Sequence, residues 1–157
     1  MTVTVSRKVP PQRLITLMNP MVRALLRSPL HRFVDDELLI LHITGRRTGH
    51  RYDIPVSYVD VNGRVVIVTQ HRWRANIRGG AEILVARGGH HRRMHAELDE
   101  EPASVAAILQ AAAERVGWRA THRLTGLRPA GGRTPTTSDL EQAAREYHLA
   151  AITLTEG

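Results

Sequence analysis

Apolar residues along this chain recur first at helical spacing and then at strand spacing. Leu14, Leu17, Met18, Met21, Val22, Leu25 and Leu26 fall three or four positions apart, which predicts a leading helix with one apolar face. Asn19-Pro20 interrupts it. Because a proline inside a helix removes a hydrogen bond, the pattern is read as a break, with Asn19 capping a second helix that Pro20 opens. Residues 1–12 read as a flexible tail, and 13–157 as one domain. Packing against the rest of the domain explains the apolar face; weak attachment to a membrane surface is its alternative use.

From Leu38 the period changes. Leu38 to Ile43 is a short apolar run, and Tyr52, Ile54, Val56 and Tyr58 alternate with Asp53, Pro55 and Ser57. Both are strand patterns, the second with Tyr52 and Tyr58 on the buried side. Asn62-Gly63 stands between that segment and Val65–Val68, and Gly88-Gly89 between Glu82–Arg87 and His90–Leu98. Such pairs tolerate the positive φ of a type I′ turn, so two hairpins are predicted. Pro102 opens a helix carrying Val105, Ile108, Leu109, Ala112 and Val116 on one side, with Gly117 placed to end it. Residues 118–137, rich in Gly, Pro and Thr, read as a long loop. Ser138 with Glu141 forms a capping box for a last helix, and residues 147–155 form a terminal strand. Five or six antiparallel strands with peripheral helices describe a small, mainly β barrel of α+β class.

Composition narrows the chemistry. With 157 residues and no cysteine, the chain is large enough for one core, and thiolate metal sites, disulfides and cysteine nucleophiles are excluded. No apolar run approaches the ~20 residues that span a bilayer, so a cytoplasmic location is expected. The net charge of +7 comes almost wholly from arginine, Lys8 being the only lysine. Guanidinium forks suit phosphate and carboxylate oxygens, so an anionic ligand is expected. Aromatic residues are only 4% of the chain, a poor provision for stacking a single strand of bases.

Thr44-Gly45-Arg46-Arg47-Thr48-Gly49-His50-Arg51 joins the first two strands. Glycine lets backbone approach a ligand closely; with exposed N–H groups, a hydroxyl and guanidinium groups the segment makes a phosphate cradle, though a solvated turn has the same composition. It lacks the spacing of a P-loop. Proline within the second strand, at Pro55, belongs at an edge or a bulge facing a ligand. The strand Val65–Gln70 then leads into His71-Arg72-Trp73-Arg74-Ala75-Asn76-Ile77 and Gly79-Gly80.

This order over residues 14 to 100 resembles the deazaflavin-dependent nitroreductase family of split β-barrel flavin/deazaflavin oxidoreductases. That family runs strand, Gly-Arg-basic-Ser/Thr-Gly, strand with Pro-Val, hairpin, strand, Trp-x-x-Asn and a Gly-rich hairpin. The resemblance implies an FMN-binding-like split barrel. Arg46, Arg47, Thr48 and Gly49 would hold the phosphate of the deazaflavin coenzyme F420. Pro55, Val56 and Ser57, with Val68, Thr69 and Gln70, would line its ring through backbone groups, and Trp73 and Asn76 would close the pocket. The implied activity is hydride transfer to a small electron-poor acceptor of nitro, quinone or enone type. Tyr52 stands where many relatives have a further basic residue, and no catalytic acid is assigned.

FMN on the same fold, a non-catalytic coenzyme carrier and a basic OB-like nucleic-acid-binding barrel are the alternatives. The expected partner is a small-molecule acceptor and not nucleic acid; a homodimer is compatible with the reading. His91 and His95 share a strand face with His90 adjacent, but two histidines beside Arg87, Arg92 and Arg93 are too few for a metal, and none is expected. His42 reads as a hydrogen-bonded core residue, and Asp99-Glu100-Glu101 as favourable charge at a helix N-terminus.

Overall fold

A computed structural model of the chain describes residues 5–7, 38–129 and 134–156. The leading helix expected over residues 14–26 lies outside them. Within the segment expected as a tail, a short strand β1 (Val5–Arg7) is described, and it pairs with residues 127–129.

The body of the protein is a seven-stranded sheet in which every neighbouring pair is antiparallel. In chain order it contains β2 (Leu38–Thr44), β3 (Arg51–Ser57), β4 (Val59–Val61), β5 (Arg64–Thr69), β6 (Ala81–Arg87), β7 (His90–Asp99) and β9 (Ala150–Glu156). β8 (Leu127–Pro129) is the partner of β1 in a separate two-stranded ribbon. Across the main sheet the order is β3-β2-β6-β7-β9-β5-β4. Both predicted hairpin turns form. Asn62 and Gly63 have φ of 56° and 82°, and Gly88 and Gly89 have 61° and 74°, the left-handed values a type I′ turn demands.

The two edge strands, β3 and β4, are consecutive in the chain and separated by Tyr58 alone. One residue cannot bridge a flat sheet seven strands wide, about 28 Å at the usual strand spacing. The sheet therefore curls until its edges meet at Tyr58, forming a barrel that stays split above that residue. Continuing the β4–β5 register (Val59 opposite Val66) back through Tyr58 would set Ser57 against Val68 and Pro55 against Gln70. Among the described residues the ladder does not continue there. Pro55 lies on this free edge, where its missing N–H costs nothing.

Alternation divides the buried residues between two cores. Inside the barrel are Leu39, Leu41, Ile43, Val65, Ile67, Ile83, Val85, Met94, Ile152 and Leu154, and Tyr58 and Ile77 belong to the same core. On the outer face of β4, β5 and β9, Val59, Val66, Val68 and Ala151 pack against three helices. These are α1 (Pro102–Val116), α2 (Trp118–Thr125) and α3 (Thr137–Glu146). β5 is thus covered on both sides, which is why its sequence is a continuous apolar run rather than an alternation.

The expected loop over residues 118–137 is corrected: it contains α2 and β8. Gly117 (φ 87°, ψ 157°) ends α1 and also begins α2 without a loop between them. The threonines that looked loop-like are accommodated by bonding back to the helix. Thr121 Oγ1 donates to the Gly117 carbonyl at 3.1 Å and Thr125 Oγ1 to the Thr121 carbonyl at 2.9 Å, so both can be buried. The capping box also lies elsewhere. Thr136 Oγ1 accepts from the Asp139 N–H at 3.2 Å, and Asp139 Oδ2 from the Thr136 N–H at 2.9 Å. Thr-x-x-Asp performs the exchange expected of Ser138 and Glu141, and Glu141 instead pairs with Arg145 one turn on. Tyr52 is likewise not buried. It keeps the inward phase of Ile54 and Val56, but it sits where β3 runs past the barrel rim and remains 44% exposed.

Candidate functional site

The segment 45–50 emerges from β2 at the barrel end where β5 finishes and β6 begins. Its turn is closed by the Gly49 N–H donating to the Gly45 carbonyl at 2.9 Å and the Gly45 N–H to the His50 carbonyl at 2.7 Å. Gly45 suits a close approach: a Cβ there would crowd Thr48 Oγ1 at 3.0 Å and Tyr52 Cε2 at 3.1 Å, and these side chains would have to give way. Gly49 is required by its backbone, at φ +70°. Two glycines thus hold Arg46, Arg47 and Thr48 outward in a tight exposed turn.

A 3₁₀ helix, Arg72–Ile77, faces this turn. Ile77 is its fully buried plug in the barrel, and Trp73 packs partly buried on the same core. Asn76 joins the two segments: its Oδ1 accepts from the Arg46 N–H at 3.0 Å, while its Nδ2 donates to the Trp73 carbonyl at 3.0 Å. The Arg46 guanidinium also donates to the Arg78 carbonyl. Arg46, Trp73 and Asn76, read separately in the sequence, therefore form one connected cluster. Arg47 and Thr48 project beside it, and Arg47 has no charged or hydrogen-bonded partner among the described residues. Such a set of guanidinium groups, hydroxyl and turn backbone is the donor chemistry an anion needs.

The remaining expected site residues flank the split. Pro55 and Val56 are half-buried and Ser57 is exposed on the free edge of β3. Val68 points into the helix-covered core, and Thr69 is 3% exposed with its hydroxyl accepting from the His71 N–H at 3.1 Å. Their side chains are committed elsewhere, so β5 can offer the split only backbone, with the half-buried Gln70 just beyond its end. Four residues of extended strand, about 13–14 Å, separate Arg51 at the cradle from Pro55 at the split. A ligand using both must be long, anionic at one end and flat at the other.

Two clusters had no reading as such in the sequence. Glu100 collects Arg74 (Oε1 to Nε, 3.1 Å) and Arg78 (Oε2 to Nε, 2.9 Å), and Arg74 also donates to the His148 carbonyl at 2.6 Å. Besides standing just ahead of a helix N-terminus, Glu100 ties the 3₁₀ helix to the end of β7, and Arg74 extends the tie to His148 just before β9. The hydrogen bond and charge of Arg78 hold the Glu100 carboxyl below its ordinary range, and Glu100 raises Arg78. On the outer face, His42 Nδ1 lies 2.6 Å from Asp53 Oδ1, and the His42 ring stacks on His91 with centroids 5.6 Å apart. The signal for that pair was the β2–β3 register, which sets His42 opposite Asp53. Trp118 starts α2, packed on the helix core and away from the cradle. His95 Nδ1 sits 2.7 Å from Glu82 Oε1, and no group of three or more potential metal ligands comes together among the described residues.

No protein-family model matches the chain, and no curated protein matches it. One solved structure, described as a domain-swapped dimer, covers 92% of this chain and 99% of its own at 13% identity and a TM-score of 0.45. A likeness of that depth decides neither function nor assembly. No helix among the described residues is long and apolar enough to cross a membrane.

Proposed function

We propose that the protein is an oxidoreductase that binds the reduced deazaflavin coenzyme F420 and passes hydride to a small electron-poor acceptor of nitro, quinone or enone type. The observation that carries this reading is the Arg46–Asn76 hydrogen bond at 3.0 Å, which draws an arginine cradle against the Trp-x-x-Asn element beside an unzipped edge of the barrel. The exposed donors of the cradle fit a phosphodiester, and the free backbone of Pro55–Ser57 fits the edge of a planar ring. When bound, the coenzyme supplies the hydride. The chain's own residues orient and enclose: Arg46, Arg47 and Thr48 would hold the phosphate, Pro55, Val56, Ser57 and Gln70 would flank the ring, and Trp73 would exclude water from one end. No side chain is assigned as proton donor. FMN fits the same donor set with a shorter anionic arm and is the alternative coenzyme. A cytoplasmic location and a homodimer accompany this reading.

The test is fluorescence titration of purified protein with F420 and with FMN. Micromolar or tighter F420 binding is expected, weakened by on the order of ten- to a hundred-fold when Arg46 and Arg47 are both replaced by alanine. Tighter binding of FMN would transfer the reading to the flavin. Binding of neither would remove it.

A further inference from the structure

At the far end of the barrel from Arg46, the hairpin turns at Asn62-Gly63 and Gly88-Gly89 and the end of β9 surround a cleft of about 650 Å³. That volume lies within the roughly 300–1,000 Å³ of small-molecule sites. Its floor is the barrel interior itself, where Leu39, Val65, Val85 and Met94, all buried, come to the mouth. Its rim is charged, and the charges do not balance. Arg87 spans from the Tyr58 ring, 4.6 Å from its centroid, to Asp60 Oδ2 at 3.4 Å, and Arg92 pairs with Glu156. Arg64, at the first position of β5, has neither an acidic nor a hydrogen-bonded partner among the described residues. Among the described residues of the rim, three guanidinium groups stand against two carboxylates, leaving one positive charge over an apolar floor.

We propose that this cleft is a second binding site, independent of the coenzyme cradle, for a small apolar monoanion: one carboxylate or sulfonate on an aromatic or branched hydrocarbon body. The hydrocarbon would lie against the apolar floor that Leu39, Val65, Val85 and Met94 form. The acid group would pair with Arg64, the guanidinium that Asp60 and Glu156 leave unmatched. A dianion would displace one of the existing pairs, and a cation would meet a rim of like charge.

The probe is 1-anilinonaphthalene-8-sulfonate, with the uncharged N-phenyl-1-naphthylamine as its control, followed by fluorescence on the full chain. Saturable one-site binding of the sulfonate is expected, weakened about ten-fold by Arg64→Gln, a substitution to which the neutral dye is indifferent. Met94→Trp, which fills the floor, should remove both dyes, while Arg46→Ala with Arg47→Ala should change neither. Sulfonate binding that ignores Arg64→Gln, fails to saturate, or vanishes with Arg46 and Arg47 would overturn the proposal. A measurement on the unaltered protein guards against variants that fold poorly. On adding the sulfonate, the amide resonances of Gly63 and Gly88 should shift while that of Gly49 stays, and the opposite pattern would refute the site.

Discussion

Asn76 spans 30 positions of sequence with one amide, accepting from Arg46 and donating to Trp73. The Trp-x-x-Asn spacing marked the residue, but its work as a clamp depends on a turn that only the folded barrel brings near. Replacing it by alanine should lower the melting temperature only slightly, because the bond from Arg46 is exposed and the bond to Trp73 only partly buried. F420 affinity should fall by up to about ten-fold, as the cradle loses its fixed orientation. Glu100 illustrates the reverse case: the charge was visible in the sequence and its partners were not, since Arg74 lies 26 positions away and Arg78 lies 22. Its carboxyl is held low in the folded state, so its contribution to stability is fully present above the unfolded value of about 4.3 and fades as the pH falls through the lower folded value. Glu100→Gln should therefore cost about 1 kcal/mol at pH 7 in urea unfolding. The gap to the original protein should shrink in acid, and a gap that widened below pH 4 would contradict the assignment.

Elements whose geometry is set by their own residues were legible, and those set by their neighbours were not. Asn62-Gly63 and Gly88-Gly89 announced their turns because few other residues adopt positive φ readily. α1 was legible from Pro102 to Gly117 for similar reasons of local chemistry. α2 escaped because its threonines carry weak helical propensity, and what holds Thr121 and Thr125 in place is burial against α1 and β5. Gly63→Ala tests the local kind of control. A Cβ at that position would meet nothing within 4 Å, so any loss is conformational strain at φ +82° rather than a clash. The substitution should destabilise by about 1–2 kcal/mol in chemical denaturation. A neutral result would mean that the turn relaxes to another type.

At the scale of the whole molecule, the barrel and its split follow from one residue, Tyr58, which joins the two edges of a seven-stranded sheet. The sequence read as a small antiparallel barrel without revealing that closure, because the strand order is not the chain order. β9, the last strand, lies between β7 and β5, paired to Met94–Asp99 on one side and Val65–Thr69 on the other. Deleting residues 150–156 should abolish cooperative unfolding and near-ultraviolet circular dichroism, whereas an end strand of the same length would cost much less. A deletion variant that still melted cooperatively would show that the two halves of the sheet can stand alone.

That placement sets a timetable for synthesis on the ribosome. Until β9 emerges, β7 and β5 each present an unpaired border, that of β5 almost wholly apolar, and the barrel core lacks Ile152 and Leu154. From the completion of β7 until the arrival of β9, the nascent chain carries two half-sheets that only β9 joins. A molecule built this way is most exposed to self-association in the moments before its final strand arrives.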